Sequence, residues 1–169
     1  MEGCFMKDRT KKILFSIMFW VISLTWGIIM TSIGLIATAG LNLIKFAGSV
    51  AGYDLKIKTH RNGCSLITEV GGNWGGLELG AFAICGNYSE KSPSWFNHTR
   101  KHEFGHAIQH LVLGPFFIFI VAIPSACRYW YQRIMQNKGK TFPADWYDSI
   151  WFEGGATKTG EKFISWLEN

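Results

Sequence analysis

From Ile13 to Ile44 the chain runs for 32 residues without a charged side chain. A helix needs about 20 apolar residues to cross the hydrocarbon of a bilayer, so this run is long enough for one crossing with tilt or an interfacial extension. Two crossings would need more residues and a polar turn between them. Cleavable signal peptides have shorter apolar regions, about 7–15 residues, which favours an uncleaved transmembrane anchor over residues 13–44. Lys7, Arg9, Lys11 and Lys12 lie in a basic tail, residues 1–12, and the positive-inside rule puts that end in the cytoplasm. Lys45, Lys56, Lys58 and Arg61 follow the run and weaken the asymmetry.

Composition points the same way. The net charge of +5 and pI near 9.1 suit contact with anionic headgroups, so membrane lipid is an expected partner. The positive charges are scattered and no nucleic-acid motif appears, which argues against nucleic acid as a partner. A second apolar run, Leu111 to Cys127, is broken by Gly114-Pro115 and interrupted by Pro124. It is marginal for a crossing and fits a span, a re-entrant segment or a core helix. Arg128, Arg133, Lys138 and Lys140 follow it, with Tyr129-Trp130-Tyr131 as a candidate interface belt.

Between the two runs stands His102-Glu103-Phe104-Gly105-His106. Residues four apart share a helix face, so His102 and His106 can present imidazole nitrogens to one metal ion. Glu103 beside them can take a proton from a water that Zn²⁺ has acidified to a pKa of about 7. This is the H-E-x-x-H pattern of zinc metallopeptidases. Ser92-Pro93 is a helix-start pair and Gly114-Pro115 a stop pair, which predicts a helix over 93–113 with Phe104, Ala107, Ile108 and Leu111 on its apolar side. Gln109, three residues after His106, is a candidate to orient a ligand. His98 and His110 continue the stripe and are read as solvent or headgroup contacts, and His60 as exposed.

Upstream, Tyr53 to His60 alternates as a strand does, Arg61-Asn62-Gly63 is a turn signal, and Cys64 to Val70 can return. With Leu77 to Cys85 as a third strand, residues 53–85 read as a small antiparallel meander. The glycine-rich loop 71–76 lacks a P-loop or dinucleotide pattern, so no cofactor beyond Zn²⁺ is expected. Cys64 and Cys85 either pair or remain free thiols, and no C-x-x-C spacing appears among these and Cys4 and Cys127. Asn87-Tyr88-Ser89 matches a glycosylation acceptor.

A catalytic zinc with two histidines and a water needs one more protein ligand. The longer H-E-x-x-H-x-x-G-x-x-H pattern is excluded by Gln109 and Val112. Among later acids, Glu153 is chosen over Glu161, Glu168, Asp145 and Asp148, in the last turn of a helix over 143–154 that starts at Pro143 and ends at Gly154-Gly155. An apolar helix over 115–136 would lie between. If Glu153 meets His102 and His106, that helix cannot simply cross the membrane, so it is re-entrant or packed in the core.

Glu153-Gly154-Gly155-Ala156 resembles the E-x-x-A of glutamate-ligand zincins, with Thr157 where Asp is often found. Trp74-Gly75-Gly76, Leu79-Gly80, His102 to Gln109, Leu113-Gly114-Pro115, Pro124-Ser125 and Trp151-Phe152-Glu153 are similar to a group of short bacterial membrane proteins with an HE(F/Y)GHxxQ core. The resemblance covers about 72–160 and implies a metallopeptidase-like site in a zincin-like domain over 45–169. The expectation is thus an α+β fold: a transmembrane helix, a small antiparallel meander and a helical zincin-like region. Its expected function is a membrane-anchored zinc peptidase acting on a peptide or protein, with His102, His106 and Glu153 as metal ligands and Glu103 as general base. The alternative is a non-catalytic membrane protein that keeps the metal site for structure or partner binding.

Overall fold

The computed structural model describes residues 2–72, 74–86, 89–90, 92–143 and 145–169, with side chains from Asp8 onward. Asn73 of the glycine-rich loop, Asn87 and Tyr88 of the acceptor pattern, and the Cys4 side chain lie outside the described residues. The fold is α+β. Its helices are α1 (Glu2–Leu24), α2 (Ile28–Val50), α3 (Pro93–Leu113), α4 (Ile123–Asn137) and α5 (Trp151–Glu168). Its strands are β1 (Lys58–Asn62), β2 (Ser65–Val70), β3 (Gly76–Leu79) and β4 (Phe82–Gly86).

The uncharged run is two helices rather than one anchor. It bends at Thr25–Gly27 without a polar turn, because the turn satisfies itself: Thr25 N and Gly27 N donate to the Ile22 carbonyl, and the Thr25 hydroxyl to Val21 O. Gly27 is needed there, since a Cβ would meet the His110 ring at 2.5 Å. Among the described residues α2 alone is a single helix long and apolar enough to cross a membrane.

The sheet is mixed, in the order β1-β2-β4-β3, rather than an antiparallel meander. β1 and β2 form the expected hairpin, but β1 runs Lys58–Asn62 rather than 53–60, and the turn is Gly63-Cys64, with Asn62 opposite Ser65, rather than Arg61-Asn62-Gly63. Residues 77–85 are not one strand. Gly80, at φ +77°, lets the chain reverse, so β3 and β4 pair antiparallel and β4 lies parallel to β2. β3 is left as an edge.

α3 begins at Pro93 and stops at Gly114, whose φ of +54° ends the helical path. A 3₁₀ turn (Gly114–Phe116) and a π-helical turn (Ile118–Ala122) follow, and the chain swings by 116° before α4 continues. The expected helix over 143–154 is absent. Residues 145–149 form turns, and Glu153 sits in the first turn of α5. Gly154 and Gly155 lie inside that helix despite costing it roughly 1 kcal/mol each relative to Ala. Tertiary contact outweighs propensity here: a Cβ on Gly154 would meet Asp148 O at 2.6 Å, and α5 lies backbone-to-backbone on α3. A Cβ on Gly160 would overlap the Lys101 carbonyl, and one on Gly105 the Ala156 carbonyl.

Phe19 of α1, Cys64, Phe82 of β4, Phe104 and Ala107 of α3, and Ile164 of α5 form the main buried cluster. Phe19 stacks on Phe104 with ring centroids 5.9 Å apart. This packing fixes the roll of α3 about its axis and turns His102 and His106 toward α5.

Candidate metal centre

His102 and His106 lie one turn apart on α3 and face Glu153 of α5. His102 Nε2 and His106 Nε2 are 3.1 Å apart, and Glu153 Oε2 is 3.1 Å from the first and 3.2 Å from the second. Two ligands 2.0–2.1 Å from a tetrahedral ion are separated by about 3.3 Å. The three donors therefore have nearly the spacing that such an ion requires, and together they could hold a metal.

Their partners decide which atoms carry protons. Gln109 Nε2 donates to the Phe152 carbonyl at 2.7 Å, which turns its amide oxygen toward His106 Nδ1 at 2.9 Å. His106 Nδ1–H is therefore the donor, and its Nε2 lone pair points at the centre. The Thr157 hydroxyl lies 2.9 Å from His102 Nδ1 and can accept in the same way. Three lone-pair atoms then converge, an arrangement that repels itself unless a cation joins them. The donor set fits a divalent metal on this ground.

Burial alone would raise the Glu153 carboxyl; without a cation, a proton on a facing imidazole nitrogen would hydrogen-bond it and hold it well below the usual carboxylate range, and a bound metal would take that place. Glu153 is fully buried; its Oε1 makes no regular hydrogen bond, although the Ser125 and Tyr147 hydroxyls lie close enough to affect it. Burial lowers His102, and the nearby carboxylates of Glu153, Glu103 and Asp148 together outweigh it, leaving it above an ordinary imidazole. Glu103 is 5% exposed, and a Cβ on Gly76 would overlap its carboxylate, so glycine at 76 makes room for it. Burial raises its pKa, His102 and His106 oppose the rise, and Glu153 adds to it.

A cavity of about 630 Å³ opens beside the group. Edge strand β3 supplies Gly76 to Glu78, α3 supplies His98, His102, Glu103 and His106, and Phe117, Val121 and Ser125 line the side toward α4. Tyr147 and Asp148 complete the wall. The structure brings His102, His106 and Glu153 together, places Glu103 on the wall of the adjoining cavity, and sets Gln109 against His106.

Of the other residues, His110 and His60 depart from expectation, whereas His98 and the two cysteines fall within it. His110 is buried, 3.8 Å from Glu78, and burial lowers its pKa to about 4. His60 is paired with buried Glu69 at 2.5 Å. His98 is exposed at the cavity mouth. Cys64 and Cys85 are free buried thiols. Glu78, Ser125 and Tyr147 carried no motif. Comparisons with known protein families, characterised proteins and solved structures find no match.

Proposed function

We propose that this chain is a membrane-attached, zinc-dependent peptidase of the zincin type with Glu153 as third ligand. The observation that carries it is the triangle of His102, His106 and Glu153 donors, 3.1–3.2 Å on a side, with Glu103 beside it on the wall of a cavity. A purely structural site would close all four positions with protein atoms. Here the protein offers three donors beside an open cavity, which favours catalysis over structure.

Held by His102, His106 and Glu153, Zn²⁺ would supply Lewis acidity and lower the pKa of water toward neutral. The rest falls to the chain. Gln109 and Thr157 hold the imidazoles in the ligating tautomer. Glu103, buried and raised in pKa, accepts a proton at its carboxylate and passes it to the leaving amine. The substrate is a polypeptide lying along the cavity, and membrane lipid is the other partner. The basic tail puts the N-terminus in the cytoplasm.

Glu103→Gln keeps the size of the side chain but cannot accept a proton at neutral pH. It should retain the metal and slow hydrolysis of a peptide library by roughly 10²–10⁴-fold. Unchanged turnover at full metal occupancy rejects Glu103 as the base, and loss of metal from this variant makes it a ligand instead.

A further inference from the structure

We propose that the bends at Thr25–Gly27 and Gly114–Phe117 together form an apolar tip that enters a lipid bilayer from one side and returns, so that neither uncharged run crosses. Each bend falls near the middle of a stretch without Asp, Glu, Lys or Arg: Ile13–Ile44 and Phe104–Cys127. The two bends touch. Trp26 Nε1 donates to Val112 O at 3.4 Å, the Trp26 and Phe116 rings lie 6.4 Å apart, and a Cβ on Gly114 would overlap the Trp26 indole.

Both helix pairs turn back from this point. The second does so by 116°. For the first, Ser16 Oγ lies 3.1 Å from Cys64 Sγ and Asn42 Nδ2 lies 3.0 Å from Thr59 Oγ1. Cys64 and Thr59 are five residues apart, at most about 17 Å of extended chain. A straight helix would put Ser16 and Asn42 about 39 Å apart, more than these contacts allow.

Charges begin at comparable distances from the tip on all four arms. At 1.5 Å per residue, Lys12 lies about 21 Å before Trp26, Lys45 about 27 Å after Gly27, Glu103 about 15 Å before Leu113, and Arg128 about 18 Å after Phe116. Three of the four arms are well short of the ~30 Å hydrocarbon thickness and only α2 approaches it, yet all four fit one partial insertion. The tip exposes large apolar side chains, among them Val112 at 75%, Phe119 at 69% and Phe116 at 58%. In water such a patch is costly, and in lipid it is matched.

A full crossing by α2 meets two obstacles. Its inner face carries Asn42 against Thr59, next to the Lys58–Glu90 ion pair, which would be drawn toward the hydrocarbon. It would also put Lys11 and Lys12 on the opposite side from Lys45 and Lys56. Insertion and return leaves every basic flank, Arg128, Arg133, Lys138 and Lys140 included, on the cytoplasmic face, as the positive-inside rule prefers. Phe117 and Val121 line the cavity while Phe119 and Ile123 face outward, so a single helical turn separates the metal group from the lipid.

The test uses the full chain in phosphatidylethanolamine–phosphatidylglycerol vesicles, with Cys4 and Cys127 changed to Ser and a nitroxide at Val112→Cys, Phe119→Cys or Lys140→Cys. Oxygen should relax the first two labels more than a water-soluble nickel chelate does, and the order should reverse at Lys140. A Phe119 label as open to nickel as the Lys140 label overturns the proposal. So does a label shielded from both with dipolar broadening between chains, which means a second copy covers the tip. Lys45→Cys and Lys138→Cys should react with an impermeant maleimide from the same side of sealed vesicles, and reaction from opposite sides also overturns it. These readouts do not depend on catalysis, so the peptidase reading stands or falls separately.

Discussion

At the scale of single residues, the candidate centre rests on groups that would not touch a bound metal. Gln109 fixes the His106 tautomer only because its amide is itself anchored on the Phe152 carbonyl. Gln109→Leu should weaken zinc affinity roughly 10–100-fold in a chelator competition, and Thr157→Val should act in the same direction through His102. An unchanged affinity in Gln109→Leu would mean that the amide does not set the tautomer. The histidine pair was readable because i, i+4 spacing needs only helical geometry; Glu153 was picked from the last turn of a helix over 143–154 that does not form, and lies instead in the first turn of α5. His110 was not readable. Its burial depends on the room that Gly27, far away in sequence, leaves for its ring. Glu78 and Tyr147 reach the cavity from separate elements, and no local pattern could announce them.

At the scale of elements, the centre is a joint between α3 and α5, and glycines set how closely the two approach. Gly105→Ala and Gly160→Ala each press a methyl group into the other helix's backbone. Each should lower stability by about 1–3 kcal/mol in denaturant melts and weaken metal binding by moving Glu153 away from the histidines. Gly40→Ala, whose Cβ would meet nothing within 4 Å, should not lower stability. If all three behave alike, close packing is not what these glycines provide. Helix α3 was legible at both ends from Ser92-Pro93 and Gly114-Pro115, which act locally. The third-ligand helix was misplaced because Gly154-Gly155 reads as a terminus until the facing backbone of α3 is known. The parallel pairing of β2 and β4 was hidden for a similar reason: Gly80 divides an apolar segment that alternation alone cannot divide.

At the scale of the whole molecule, the uncharged run foretold a helix long and apolar enough to cross a membrane but not the bend before it, because an apolar turn leaves no polar signature. Acid stability should reflect Glu69, buried in the sheet. Burial would raise its pKa, but hydrogen bonds from Ser89, whose backbone N–H lies 2.8 Å from Oε2, and the His60 contact lower it below the ordinary value. A depressed folded-state pKa contributes stability above the unfolded value, near 4.5, and that contribution fades as pH falls through the folded value. Glu69→Gln should therefore lose stability at neutral pH and flatten the acid limb of a stability–pH curve, and an unaltered limb would exclude Glu69 as its source. Zinc should raise the melting temperature by joining α3 to α5 in the native state alone. The most direct measurement is the metal content of purified protein supplied with zinc, compared across wild type, His106→Ala, Glu153→Ala and Glu103→Gln. The account predicts bound zinc in wild type and Glu103→Gln and its loss from the other two, whereas a metal-free wild type, or zinc retained without His106 and without Glu153, would contradict it.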